Sequence, residues 1–550
     1  MIGGMRAFGL RARKKADINS ILSGKGPAMT SSLYIINPAA DFPTYFGAEI
    51  LLAAGRRSGV MMADLSSTTV AAMAPPDFSI AICDEGVAPV DFDNDADWIA
   101  ITGKVSQRRR MIAIADEFRR RGKKVIIGGP YASLSPDHLV AHCDVLVSGE
   151  MEEIAEELFA DLRAGRPRDR YFGDKPSLAT SPVPRWDLYP NHRAMLGAVQ
   201  TSRGCPFECE FCDVIQYLGR KQRHKPIANV LAELDALWAH GFRATFLADD
   251  NFTAYRAHCK ELLEAMARWR RDGHPMDFVT QISIDATRDT ELMDMLVEAG
   301  VHQVFIGIET PNLESLRETG KRQNLKIDIV GEVQKLVDRG ISVMGGMIVG
   351  FDHDGPDVFS QQYEFAMSTP IPIYSLGALM ASEATPLFDR IAREGRLLQG
   401  TVETQAVPWG SNIRPVTMSM KELNEGLHNL CNALYAPSAF GERMLNFIDA
   451  FGRARGPSDA TIPDTSAFRE IEQEAVQIAA DVRKLGDAEG RMWNKVWGAA
   501  LRKPQTVKIV ARIMFQYAQA RHMFDRGNYW EPQLAFAPPR REMAVEAAVA

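Results

Sequence analysis

At 550 residues the chain is long enough for roughly two to four domains, and its 46% hydrophobic and 24% charged composition is that of an ordinary globular protein. A formal net charge of −7 argues against a nucleic-acid binder, and no apolar run reaches the about 18 residues of a membrane span, although peripheral contact with a membrane stays compatible with both. Seven cysteines are too few for a disulfide framework, and a cytoplasmic location is expected.

The opening stretch "MIGGMRAFGLRARKK" is basic without a sustained apolar core. Residues 1–32 therefore read as a flexible leader rather than a secretory signal, with Met29 as an alternative start. From residue 33 apolar runs alternate with amphipathic segments. "SLYIIN", "FSIAIC" and "WIAITG" predict strands, and "SQRRRMIAIADEFRRRGKKVIIGGP" a helix followed by a buried strand ending at Gly128–Gly129–Pro130. "DVLVSGEMEEIAEELFADLRAG" repeats the plan: strand, turn at Gly149, then a helix with acidic residues in its first turn, where the helix dipole favours them. This α/β alternation predicts a Rossmann-like, doubly wound parallel sheet over 33–165. Prolines and charges make 166–197 an irregular connector.

A second series follows, with strands expected at about 198–201, 244–248, 278–283, 303–308, 343–349 and 374–380. In "PIANVLAELDALWAHG", Pro226 opens a helix whose apolar residues recur on one face, and Gly241 closes it. Six such units predict a partial (βα)6 TIM-type barrel over 198–400. Beyond it, segments such as "KIVARIMFQYAQARHMFDRG" predict a helical C-terminal domain over 401–550 with a frayed tail.

Three cysteines, Cys205, Cys209 and Cys212, crowd the loop after the first barrel strand, at the end where such barrels carry their active sites. Thiolates on short spacings suit an iron–sulfur cluster, and three ligands leave one iron of a 4Fe-4S cubane open for a small molecule. Zinc, or unrelated buried cysteines, are the alternatives; no fourth Cys or close His stands at zinc-finger spacing.

With its C-x3-C-x2-C spacing and Phe211 before the third cysteine, "SRGCPFECEFCDV" closely resembles the signature of radical S-adenosylmethionine enzymes. "PVPRWDLYP" and "YLGRKQRHKPIANVLAELDAL" look like the subgroup with an N-terminal cobalamin-binding domain, which includes the hopanoid methylases and similar class B methyltransferases. The resemblance covers about residues 33–420. It implies that Cys205, Cys209 and Cys212 hold the cluster, that the open iron chelates S-adenosylmethionine, and that one electron releases a 5′-deoxyadenosyl radical which abstracts a substrate hydrogen. It further implies contacts to S-adenosylmethionine from the strand ends: Asp249 or Asp250, Glu309 and Gly350. A strand-end cap is the alternative for the two aspartates, a solvated strand end for Glu309, and a tight turn for Gly350. Arg203 and Arg220 could neutralise cluster or substrate charge, or simply lie on the surface.

The same resemblance lays a cobalamin corrin over the first sheet, with Gly128, Gly129 and Gly149 permitting close approach. The D-x-H-x-x-G motif is absent, so no histidine is expected on cobalt, and Lys104 stands where an uncharged residue is expected. The expected reaction is methylation of an unactivated carbon of a small, apolar, lipid-like or secondary-metabolite substrate, with electrons from a flavodoxin or ferredoxin. Cobalamin-dependent radical cyclisation and a corrinoid or iron–sulfur carrier role are the competing readings. The C-terminal Trp, Met and Phe residues read as helix-packing core, some of which could face an apolar substrate; Arg414 could meet an anionic group.

Overall fold

The computed structural model describes residues 31–398, 407–455 and 468–531; the expected leader, apart from Ser31 and Ser32, and the expected frayed tail lie outside the described residues. Among the described residues fifteen strands follow in chain order: β1 (Ser31–Asn37), β2 (Val60–Met62), β3 (Phe78–Asp84), β4 (Trp98–Thr102), β5 (Lys124–Gly128), β6 (Val145–Gly149), β7 (Arg170–Gly173), β8 (Ala194–Val199), β9 (Ser202–Arg203), β10 (Arg223–His224), β11 (Ala244–Leu247), β12 (Asp277–Gln281), β13 (Val301–Glu309), β14 (Ser342–Val349) and β15 (Ile373–Ala378).

The first sheet is parallel in the order β3-β1-β4-β5-β6-β7. The chain leaves β1 in one direction for β3 and fills the other side with β4 to β7. The strand order therefore reverses between β1 and β4, which opens a crevice at their C-terminal ends. The edge strand β7 lies inside the segment expected to be an irregular connector. Its four residues carry too little alternation to be read, and its pairing is supplied by β6.

The second sheet is also parallel, in the order β15-β14-β13-β12-β11-β8-β2. The six expected barrel strands are joined by a seventh. β2 leaves the first sheet, although β1 and β3 flank it in sequence, and pairs beside β8 through Val60–Ala194 and Met62–Leu196. A three-residue strand has almost no pattern of its own, so its partner is decided by the free edge that β8 offers. The two sheets are thus laced together by the chain itself.

The helices Glu470–Asp481 and Val507–Arg526 cover the open side of the barrel, touching β8 and β15 respectively. Barrel and helices share one core, in which Leu237, Phe278, Val304, Leu434 and Val510 are fully buried. Trp186 of the connector is buried edge-on against Phe242 at 6.1 Å, which ties the connector to the barrel. Of the C-terminal apolar residues, Met514, Phe515, Met523 and Phe524 are core, and Trp409 stacks on Tyr529 at 4.2 Å. No helix among the described residues is long and apolar enough to cross a membrane.

Candidate functional site

The loop after β8 is built to stay folded. Gly204 takes φ +93°, and a Cβ there would sit 2.8 Å from the Gly219 carbonyl and 2.9 Å from that of Lys221. Its neighbour Cys205 donates its amide to the Gly219 carbonyl at 3.2 Å, so the loop closes on itself. Asp249, buried at the end of β11, accepts from the amides of Thr201 and Ser202, both at 2.7 Å, and from the Thr201 hydroxyl. Burial still raises its pKa to about 6 against these three donors. Both oxygens of Asp249 are therefore engaged in fixing the start of the cysteine loop.

Asp250 is placed differently. It receives one amide, from Gly204 at 3.3 Å. Burial, then the Asp249 charge, pushes its pKa up to about 7. Of the pair, Asp250 is the carboxylate with capacity left for a cationic partner.

The three thiols are free and close enough to feel one another's charge, but they do not converge on a point that would hold a single ion. Cys209 is buried, and its sulfur accepts from Gln323 Nε2 at 3.6 Å. Burial raises the Cys205 thiol and pushes Cys212 up to about 12, with the neighbouring acidic groups adding to it. Thiols so buried remain protonated unless positive charge arrives to hold the thiolates.

One such charge is already present. Lys321, which sequence reasoning missed, places its ammonium 2.6 Å from Glu309 Oε1 and within electrostatic reach of Cys209 and Cys212. Its pKa is raised: burial works against the charge, but the Glu309 carboxylate and the two thiols outweigh it. Glu309 ends β13 at φ +64°, beyond a register shift, and its carboxylate folds back over Gly307. A non-glycine residue held there is strained, and such strain clusters at functional sites. Gly350 takes φ +95° in a turn clamped by Asp354, which accepts from the amides of Gly350 at 3.0 Å and Phe351 at 3.2 Å. The tight turn gives this glycine a structural reason of its own.

Arg203 is neither on the surface nor free. It donates to Glu150 at 2.5 Å and pairs with Glu152 at 2.8 Å, both just past the end of β6. Arg223 on β10 grips the same Glu150, with one contact at 2.9 Å and a second, shorter one. One carboxylate from the first sheet thus joins the two arms of the β9–β10 hairpin beside the cysteines. Arg220, by contrast, is exposed and pairs with Glu208.

The crevice of the first sheet opens above these groups. Gly129 takes φ +91° and ψ −170°, a region essentially restricted to glycine, and a Cβ there would lie 2.5 Å from Thr102 Oγ1. At Gly149, φ +81°, a Cβ would strike the Gly173 carbonyl. Gly128, Gly129 and Gly149 all line a cavity of about 1250 Å³. One arm enters an apolar slot on the sheet face, between the helices Leu65–Met73 and Ala155–Arg163, walled by Ile35, Val70, Val147 and Phe159. The other arm passes Gln200 and Arg203 into the barrel and runs its full length. Lys104 is exposed at the cavity lip. Gly129→Ala is expected to cost about 1–3 kcal/mol of stability through its backbone conformation; an unchanged thermal midpoint would show the crevice indifferent to that turn.

Residues 199–365 match the family described as the radical SAM superfamily, and residues 385–526 match a domain of unknown function (DUF4070). An uncharacterized methyltransferase of Synechocystis sp. is 38% identical over 477 residues, covering 84% of this chain and 86% of that protein. The hopanoid C-2 methylase of Rhodopseudomonas palustris is 30% identical over 338 residues, covering 60% and 64%. Among solved structures, the cobalamin-dependent S-adenosylmethionine radical enzyme OxsB, with aqua-cobalamin and S-adenosylmethionine bound, shares the fold at a TM-score of 0.58 and 13% identity, covering 90% of this chain and 80% of that one.

Proposed function

This chain belongs to the radical S-adenosylmethionine enzymes, and on that premise we propose that, like the hopanoid methylases it is similar to, it methylates an unactivated carbon using cobalamin. The observation that carries the reading is the single cavity joining the glycine crevice of the first sheet to the barrel interior below the cysteine loop. A substrate in the barrel then faces groups held on both sides. Cys205, Cys209 and Cys212 would ligate a 4Fe-4S cluster; Gly128, Gly129 and Gly149 would seat the corrin, and the apolar slot its nucleotide tail. The donor set fits: Cys209 is buried and Cys205 and Cys212 are partly buried, with Lys321 in electrostatic reach, and the strand-end turns at Gly129 and Gly149 leave no room for a Cβ. Among the described residues the histidine lining the cavity is His302, at the far end of the barrel.

When bound, the cluster supplies the electron that cleaves S-adenosylmethionine, and methylcobalamin supplies the methyl group. The chain's own residues position and insulate. Asp249 holds the loop, and Asp250 presents a carboxylate suited to the amino group of S-adenosylmethionine. Lys321 neutralises charge beside Cys209 while orienting Glu309. The Glu150–Arg203–Arg223 junction fixes the crevice over the loop. A flavodoxin or ferredoxin is the electron donor this chemistry calls for. Anaerobic protein reconstituted with iron, sulfide and hydroxocobalamin, given S-adenosylmethionine and a reductant, is expected to form 5′-deoxyadenosine. Product would be heavier by one CH2, with two S-adenosylmethionine consumed per turnover. Deoxyadenosine with an unmethylated, rearranged product would favour cyclisation; no deoxyadenosine at all would leave only a carrier.

A further inference from the structure

The barrel interior does not end in an apolar floor. At the end where the strands begin, Lys508, Arg512 and Gln516 follow one another at four-residue spacing on the helix Val507–Arg526, and all three line the cavity. Arg512 donates to Asp277 at 3.0 Å and Lys508 to the same carboxylate at 2.5 Å. Arg243 also lines this end; among the described residues it donates to the backbone carbonyls of Trp238 and Phe242 and lies over the Trp238 ring at 3.7 Å, with no carboxylate on it. Arg469 stands near it, paired with Glu472 at 2.9 Å. Four cations therefore meet two carboxylates, and positive charge is in excess.

Unpartnered polar atoms coincide with that charge. Gln303 on β13 is 4% exposed, lines the cavity, and its Nε2 has no partner among the described residues. Arg512 can only donate to His302 Nε2, at 2.5 Å, so the imidazole proton lies on Nδ1, which is buried and also without a partner among the described residues. Buried donors are nearly always satisfied, so two of them beside excess positive charge call for an acceptor that carries negative charge. Arg414, the anion contact suggested by sequence, is exposed and does not line the cavity. Between this end and the cysteine loop the wall is largely apolar, with Ala198, Phe246, Val279 and Phe305.

We propose that the strand-start end of the barrel binds the carboxylate or phosphate of an otherwise apolar substrate. Gln303 and Glu309 are six residues apart on β13, so the anion would sit about 20 Å from the cysteine loop. This deepens the functional reading, since it takes the barrel as the substrate chamber.

The test uses the full-length reconstituted protein and two matched pairs of probes: palmitate with hexadecanol, and abietate with abietinol. Binding is read by the fluorescence of tryptophan, since Trp497 lines the cavity. In at least one pair the acid is expected to bind roughly ten-fold or more tighter than the alcohol, the size of one charge-assisted hydrogen bond. Arg512→Gln should reduce that preference to about two-fold, and Gln303→Leu should lower it without affecting the alcohol. Arg512 touches Asp277 and His302, so Lys508→Gln combined with Arg243→Gln, at more exposed positions, provides a second arm with the same expectation. Equal binding of acid and alcohol in both pairs, or a preference that survives all these changes, overturns the proposal. 5′-Deoxyadenosine formation measured on the same preparations separates the two readings. In the unsubstituted protein, equal binding of acid and alcohol with intact cleavage sinks only the anion site, and absent cleavage with intact discrimination sinks only the radical reading.

Discussion

Cys209→Ala is expected to abolish 5′-deoxyadenosine formation while leaving the protein folded. Cys209 is the buried member of the three thiols, and its one contact to a side-chain donor, from Gln323, is a weak one at 3.6 Å. The loop around it is held by other means: the Cys205 amide on the Gly219 carbonyl, the Asp249 clamp on Thr201 and Ser202, and the Glu210 amide on the Thr319 carbonyl. Replacing one small sulfur should therefore leave the backbone in place. A cluster deprived of one of only three protein ligands is a different matter, because two thiolates cannot retain a cubane. Reconstituted iron should fall well below that of the wild type, the visible cluster absorption should be lost, and cleavage should drop to background. Prolonged chelation of the wild type should have the same consequence. A variant that keeps the full four-iron spectrum and wild-type cleavage would falsify the assignment of Cys209.

Glu150→Gln is expected to loosen the two sheets from each other. The carboxylate is buried, and the side chains of Arg203 and Arg223 that converge on it are each 13% exposed. Removing one partner of a buried ion pair typically costs about 3–5 kcal/mol, because the remaining charge is stranded. Arg203 keeps Glu152, so the stranded charge is that of Arg223. Thermal or denaturant unfolding should show a loss near the lower part of that range. Adding Arg223→Met, which removes the stranded charge, should restore part of it, the signature of direct coupling. Chemistry should respond as well: cleavage of S-adenosylmethionine should persist, since the cysteine loop has its own supports, while methylated product per deoxyadenosine falls. A double variant no more stable than the single one, together with an unchanged product ratio, would place the docking of the two sheets elsewhere.

The cysteine triad, the parallel sheets and the covering helices were legible because each has a local cause. A strand repeats every two residues and a helix every 3.6, so β4, β5, β6 and most of the barrel announce themselves in short windows. The turn glycines at 129, 149 and 350 announce themselves for the same reason, since a positive φ is a property of one residue. Strand β2 did not, because three residues hold no period. Nor did the engagement of Asp249 or the pairing of Arg203. A carboxylate at a strand end looks alike in sequence whether it clamps backbone 48 residues away or faces a ligand.

By itself, then, the sequence determined that three thiols share one loop at the top of a parallel α/β barrel, and which family that loop belongs to. Both follow from spacings within a dozen residues. Tertiary structure alone decided that Lys321 stands beside those thiols, that Glu150 joins the two sheets, and that Arg243, Gln303 and Arg512 meet at the far end of one cavity. Charges that attract across tens or hundreds of residues leave no periodic trace along the chain, and they find each other only once the apolar core has brought their elements together.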